Sequence, residues 1–203
     1  MSGRVVLGAK DRRLLNHCDA VIGVDEVGRG ALAGPVVVCA ARFDAIPVDD
    51  GVRDSKQLSA IQREKTLERL LGRSVRWAVC EISPGLIDRV NILEATRVAM
   101  RAAAMAVIGS SNIVVTDHVD PGDLGCRVIS PSGADRDYFC VAAASIIAKV
   151  HRDRIMVELG RSDPRWGWEN NKGYGTAQHR AALDRWGPTS YHRRRFRWTP
   201  VTQ

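Results

Sequence analysis

Val21-Ile22-Gly23-Val24-Asp25-Glu26-Val27-Gly28-Arg29-Gly30 decides how this chain is read. An apolar run from Ala20 to Val24 ends in two adjacent carboxylates, and a glycine-punctuated stretch follows. A second run, residues 35–43, is rich in Val and Ala. Two apolar runs of strand length around such a stretch predict two strands joined by a functional loop over 25–30. Asp25 and Glu26 are neighbours, and in a regular strand neighbours face opposite ways. For both to serve one site the strand is expected to break at this point, with the glycines just after it permitting the break.

The pattern recurs downstream. Ile113-Val114-Val115-Thr116 is a short buried-type strand, and Asp117 follows it. Ligand sites in α/β sheets gather at the carboxyl ends of strands. A lone acid there is commonly a cap or turn residue. Two acids at equivalent positions, one with Glu26 beside it, point to a site instead. Asp135 stands a few residues before a helix predicted over 138–159, near its positive end. That helix is apolar all round from Val141 to Val150 and so deeply buried. If the four acids converge, their repulsion demands cations. All-oxygen ligands without a His or Cys cluster select Mg²⁺ or Mn²⁺ over zinc. Two such ions about 4 Å apart can activate a water and stabilise the leaving oxygen in phosphodiester hydrolysis. Asp120 and Asp137 are rivals for the third and fourth places.

Around these segments the sequence predicts an α/β layout. Ser59 with Gln62 forms a capping box for a helix to about Leu71. A strand is expected over 75–82, a helix over 92–107 and another strand over 127–129. A Gly/Trp/Asn-rich loop spans 164–175, and a helix over 176–186 is stopped by Gly187-Pro188.

At 203 residues the chain suits one domain, and a 45% hydrophobic, 26% charged composition argues against disorder. The short N-terminal apolar stretch is interrupted by Lys10, Arg12 and Arg13, unlike a signal peptide. No apolar run reaches membrane-spanning length, so the expectation is a cytoplasmic protein without a membrane partner. Cys18, Cys39, Cys80, Cys126 and Cys140 are odd in number, widely spaced and free of C-x-x-C pairs. That argues against a disulfide framework or a zinc site and for buried or half-buried thiols. The net charge of +7 sits in the last quarter, where 12 basic residues from Lys149 onward face 5 acidic ones. Residues 160–203 therefore read as a basic, substrate-binding segment of the same domain, suited to a polyanion.

Several residues suit nucleic acid. Gly28 and Gly30, flanking Arg29, lack a Cβ and permit close backbone approach to a ribose 2′-hydroxyl, the group that marks RNA. Tyr174, between Gly173 and Gly175, is expected to expose its ring on a flexible loop, where it can pack on a sugar or base. Lys56, Lys172 and Arg193–Arg195 are candidates for phosphate contacts. No nucleophilic Ser or Cys pattern accompanies His179 and His192, so both read as structural or substrate-positioning. Trp166, Trp168 and Trp186 read as core or loop anchors.

These residues fall in blocks that resemble the ribonuclease HII family. Val24-Asp25-Glu26-Val27-Gly28-Arg29-Gly30 with Ala33-Gly34-Pro35-Val36 is similar to its signature. Asp54-Ser55-Lys56-Gln57-Leu58 resembles its D-S-K-x-L block, and Asn91-Ile92-Leu93 with Ala95-Thr96 and Ala99-Met100 its N-I-L-x-A-T-x-x-A-M block. Ala143-Ala144-Ser145-Ile146-Ile147-Ala148-Lys149-Val150 is similar to its buried helix, and Lys172-Gly173-Tyr174-Gly175-Thr176 to a C-terminal block. His118 stands where the family usually has the Gly after its third acid. Ala134 stands where Gly usually precedes the fourth.

The resemblance implies a ribonuclease H-like fold: a mixed central sheet flanked by helices, with a C-terminal helical extension. It implies Asp25, Glu26, Asp117 and Asp135 as catalytic, metal-binding acids for Mg²⁺ or Mn²⁺. It also implies that Gly28-Arg29-Gly30 contacts the 2′-hydroxyl and that Tyr174 stacks on the deoxyribose after the ribonucleotide. The implied partners are RNA–DNA hybrids and ribonucleotide-containing duplex DNA, cut to 3′-hydroxyl and 5′-phosphate ends by a monomer. Two competing readings are a nuclease of the same fold for DNA junctions or hybrids only, and a non-catalytic binding module. The second leaves acids on a polyanion-binding face unexplained.

Overall fold

The computed structural model describes residues 7–47, 51–53, 55–72 and 75–196. Asp54 of the D-S-K-x-L block lies outside them. The chain runs α1 (Ala9–Leu15), β1 (Ala20–Val27), β2 (Val36–Phe43), a 3-10 turn (Ser55–Gln57), α2 (Ala60–Leu71), β3 (Arg76–Ile82), α3 (Pro84–Val90), α4 (Ile92–Met105), β4 (Asn112–Thr116) and β5 (Arg127–Ile129). It continues through α5 (Ala134–Asp137), α6 (Phe139–Ser162), a second 3-10 turn (Pro164–Trp166), α7 (Trp168–Asn171) and α8 (Ala177–Trp186).

The five strands form one sheet in the order β3-β2-β1-β4-β5. β1 is antiparallel to β2, as β2 is to β3, whereas β1–β4 and β4–β5 are parallel. The sheet is thus mixed, as the resemblance implied, and β1 is its middle strand. Alternation along the strands builds two cores. Val21, Cys39, Ala41 and Val115 face α2 and α6 on one side, whereas Ile22, Val24, Val38, Ala40 and Val114 face α4 on the other.

Gly23 sets how close α6 comes. A Cβ there would lie 2.0 Å from the Cys140 carbonyl carbon, so the helix backbone crosses directly over β1. Any side chain at position 23 would push α6 off the sheet and move the acids placed by both elements.

Several boundaries differ from expectation for identifiable reasons. β1 does not break at Asp25. Its antiparallel ladder with β2 continues through Val27 paired with Val37, so the turn begins only at Gly28. α3, unforeseen, is capped by the Ser83 side chain and has Pro84 in its first turn. α6 runs past Gly160 to Ser162, and the missing Cβ at Gly160 leaves room for the Glu169 backbone. The 164–175 segment is not an open loop: Trp166 and Trp168 are buried with Met156 and Leu183 of α6 and α8. Trp186 departs from its companions. It is 47% exposed, under the Arg185 guanidinium.

The N-terminus of α6 has no side-chain cap of its own. Asp11 of α1, fully buried, supplies one from 128 residues away, accepting from Phe139 N at 2.8 Å and Cys140 N at 3.0 Å. Two otherwise orphaned donors and the positive helix end are thereby satisfied. Asp11→Ala should lower unfolding free energy by about 1–3 kcal/mol, with Asp11→Asn retaining part of it. Urea denaturation measures this; an unchanged midpoint for Asp11→Ala would refute the cap.

Candidate active site

The site forms where the sheet becomes uneven. Parallel pairing of β1 with β4 ends at Val24 with Thr116. The next residue on each strand is an acid, Asp25 and Asp117, and the two stand level. From there β1 continues with β2 alone, leaving its β4 side open. Successive side chains on opposite faces of β1 can therefore both reach this notch. Asp25, Glu26, Asp117 and Asp135 line one cavity of about 470 Å³ there, with Gly28-Arg29-Gly30, Lys56 and Tyr174. The structure brings the four acids, Gly28-Arg29-Gly30, Lys56 and Tyr174 together without a strand break, whereas Lys172 and Arg193–Arg195 do not line the cavity.

It also separates the rivals. Asp120 accepts from Gly122 N in an exposed turn, and Asp137 pairs with Lys10 at 2.6 Å. Neither lines the cavity. Asp117 Oδ1 accepts from Gly133 N at 2.7 Å and Ala134 N at 3.0 Å. One acid thereby caps the short helix that presents the next, Asp135. His118 adopts φ +62°, the left-handed conformation that favours glycine. The departure from the family pattern is thus accommodated by backbone geometry.

Two of the acids are paired with cations of the protein itself. Lys56 Nζ lies 2.9 Å from Asp135 Oδ2, and Arg29 Nη1 lies 3.3 Å from Glu26 Oε1. Among the described residues no three acidic, His or Cys side chains are already gathered to hold a metal ion. Glu26 Oε2, however, is buried with no hydrogen-bond partner. A buried carboxylate oxygen without a donor is costly, and a hard cation is the partner that satisfies it while joining the neighbouring oxygens. The donor set fits Mg²⁺ or Mn²⁺.

Burial pushes Asp25 well above the usual carboxylate range, and the Glu26 and Asp117 charges push the same way, against a hydrogen bond from Ser145. Burial raises Glu26 to about 7 against the pull of Arg29, with Asp117 adding to the rise. Like charges in a desolvated notch resist ionisation unless a cation arrives.

The surrounding loops are pinned. Arg152, fully buried, donates to the carbonyls of Ala33, Pro35 and Lys172, and buried Arg193 to those of Arg29 and Gly34. Arg193 is therefore not available to phosphate, contrary to expectation. The side chains of Arg194 and Arg195 are exposed, and Lys172 donates to the Glu169 carbonyl. Gly28 has φ +91°, and a Cβ there would meet Arg152 at 2.1 Å, so internal packing accounts for it. Gly30 differs: a Cβ would meet no protein atom within 4 Å. Packing within the protein therefore does not require glycine at that position.

Tyr174 is half-buried and held, not loose. Its ring lies under Lys149 and Arg152, and its carbonyl meets His179 Nδ1 at 3.0 Å. Behind it, Thr189 N donates to His192 Nδ1, which puts the His192 proton on Nε2, 3.1 Å from His179 Nε2. Trp168 Nε1 donates to the same His179 nitrogen, leaving the His179 proton on Nδ1, facing the Tyr174 carbonyl. Burial lowers both histidines, His192 to about 4, so the chain of bonds is built from neutral rings. Sequence reasoning missed Ser55, Ser145 and Lys149, which also line the cavity. Ser145 had a signal, the one hydroxyl within the apolar run of α6. Nothing in the sequence separates Arg152 and Arg193 from surface arginines.

A mixed sheet in this order, with acids at the ends of neighbouring parallel strands, defines a ribonuclease H-like fold, and solved structures of that fold superpose on it. The ribonuclease HII of Archaeoglobus fulgidus, solved in complex with PCNA, matches with a TM-score of 0.75 at 28% identity, covering 90% of this chain and 97% of that one. The ribonuclease H2 of Pyrococcus horikoshii matches with a TM-score of 0.73 at 29% identity, covering 87% and 93%. The sequence pattern of Ribonuclease HII matches residues 22–200. Ribonuclease HII of Thermosynechococcus vestitus is 45% identical over 178 residues, 87% of this chain and 83% of that protein. That of Paracoccus denitrificans is 46% identical over 177 residues, 87% and 84% of the two. The chain belongs to the ribonuclease HII family. It is accordingly a metal-dependent nuclease of the ribonuclease H type.

The raised acids have a consequence for stability without metal. An unfolded chain releases these protons near pH 4, whereas the folded chain keeps that of Glu26 to about 7 and holds that of Asp25 well above its usual range. Stability from these groups is therefore full at low pH and lost as pH rises through that window. In chelator, Asp25→Asn should melt a few °C above wild type near pH 7.5, and the gap should shrink near pH 4.5. Calorimetry checks this; a gap that does not depend on pH would contradict the buried-acid account.

Proposed function

We propose that this chain is an endoribonuclease that hydrolyses the RNA strand of RNA–DNA hybrids and cuts 5′ of ribonucleotides embedded in duplex DNA. The products carry 3′-hydroxyl and 5′-phosphate ends. The observation that carries the proposal is a single cavity holding four acids, an orphaned Glu26 oxygen and the open glycine at position 30.

Asp25, Glu26, Asp117 and Asp135 would hold two divalent ions, Mg²⁺ or Mn²⁺. When bound, these ions supply a nucleophilic water at neutral pH and stabilise charge on the leaving oxygen. The protein's own part is placement. Gly28, Arg29 and Gly30 bring backbone groups to the 2′-hydroxyl, and the carbonyl of Arg29 is fixed by Arg193. A deoxyribose offers no hydroxyl there, so a cradle built for one discriminates against DNA. Tyr174, locked by the neutral histidine pair, stacks on the next sugar and so reads the RNA–DNA junction. Lys56 pairs with Asp135 and stands where it can turn to a phosphate. The basic 160–203 segment belongs to the same domain and forms part of the substrate-binding side. The enzyme works as a monomer in the cytoplasm. Among the described residues no helix is long and apolar enough to cross a membrane.

A DNA duplex containing one ribonucleotide, tested across a metal series, checks the proposal. Wild type should cut on the 5′ side of the ribonucleotide with Mg²⁺ or Mn²⁺ and not in chelator. Asp25→Asn should slow cleavage by about 10³-fold or more, roughly 4 kcal/mol of barrier, while still binding the duplex. Cleavage of DNA junctions but not of this duplex would favour a different nuclease of the same fold. Full activity in Asp25→Asn would remove the acid-based mechanism.

A further inference from the structure

A second concavity adjoins the first. Lys56 lines the acidic cavity; Gln57, the next residue of the same 3-10 turn, lines a recess of about 350 Å³. Its other walls include Arg53, Gln62, Lys65 and Arg69. Gln62, Lys65 and Arg69 recur at helical spacing on one side of α2. Among the described residues no acid lines the recess. Of the other ionic side chains of α2, Arg63 reaches Asp153 and Glu64 pairs with Arg154, while Glu68 is exposed and does not line the recess. Arg53, Lys65 and Arg69 are exposed, and among the described residues none of them is in an ion pair. Three like charges around one concavity raise a local positive potential that attracts an anion.

We infer that this recess binds the phosphodiester backbone of the substrate duplex, a few nucleotides from the bond that is cut. The inference rests on the nuclease reading above for the position of the scissile phosphate. Consecutive residues of one tight turn line the two concavities, so a strand seated in the first brings later phosphates to the second. Each nucleotide advances only about 3.4 Å along the duplex. A free anion is a poor fit for exposed cations without a buried polar anchor, because water competes for it. A polyanion already held in the neighbouring cavity presents its phosphates at high effective concentration. These contacts would set the register of the duplex without reading its sequence.

The test uses the full chain carrying Asp25→Asn, with Mg²⁺ present, and a DNA duplex with one central ribonucleotide. In that background Arg53→Gln/Lys65→Gln/Arg69→Gln should weaken binding about tenfold near 100 mM salt. It should also reduce the slope of log affinity against log salt by about one to two. A control, Arg76→Gln/Arg89→Gln/Arg127→Gln, removes three exposed charges outside both concavities and should leave the slope within error. Shortening the duplex stepwise from either end should cost the unsubstituted recess affinity at one step on one side. The recess variant should not feel that step.

An unchanged slope in the recess variant, or an equal loss in the control, would overturn the inference. So would loss of inorganic phosphate binding with duplex binding intact, which would assign the recess to a small anion. If wild type fails to cut the ribonucleotide duplex, the nuclease proposal falls, while the slope comparison still decides the recess.

Discussion

Four carboxylates facing one notch repel each other, and the surrounding structure is arranged to hold them there regardless. The register of two parallel strands puts Asp25 and Asp117 side by side. The end of that pairing opens room for Glu26. Asp117 then caps the helix that carries Asp135. Gly23 seats α6 directly on β1, which brings the Ser145 hydroxyl to Asp25. Each placement keeps charges in a desolvated space that their electrostatics alone would not choose. Such a cluster is stable only as part of something larger, and divalent cations are what its oxygen donors suit.

Positive charge serves two separate purposes in this molecule. Arg152 and Arg193 are structural, each buried and spending its donors on loop carbonyls. Arginine suits this task because its planar fork satisfies several carbonyls at once. Together they tie the Gly28–Gly30 turn, the 33–35 segment and the Lys172–Tyr174 loop into one unit, with the histidine pair behind Tyr174. Lys56 lies instead at the surface against Asp135, and Lys65 and Arg69 of α2 are exposed at the neighbouring recess. A basic C-terminal quarter is thus partly skeleton, and charge counted along the chain overstates what faces a ligand.

Much of this was legible in the sequence. The apolar runs ending in Asp25 and Asp117 located the strands and their acids, because a strand that must be buried reads as unbroken hydrophobicity. The all-round apolar stretch from Val141 to Val150 marked α6. The ordered blocks marked the ribonuclease HII family. What could not be read was long-range geometry. The expected break at Asp25 came from considering one strand alone; the unequal reach of β1 and β4 removes the need for it. Asp11 is an ordinary acid in sequence, and only folding shows it capping a helix 128 residues on. Glycines 28 and 30 look alike in sequence, yet a Cβ at 28 would strike Arg152 whereas one at 30 would meet only open space.

Titrating Mn²⁺ calorimetrically into metal-free protein, in two buffers of different ionisation heat, addresses the shared-ion site itself. Near pH 6.5 most Glu26 carboxyls still carry a proton that a cation must displace, and burial shifts Asp25 in the same direction. The account predicts Mn²⁺ binding accompanied by proton release, with the release greatly reduced in Asp25→Asn/Glu26→Gln. Mn²⁺ bound without proton release, or bound equally well by that double variant, would contradict it.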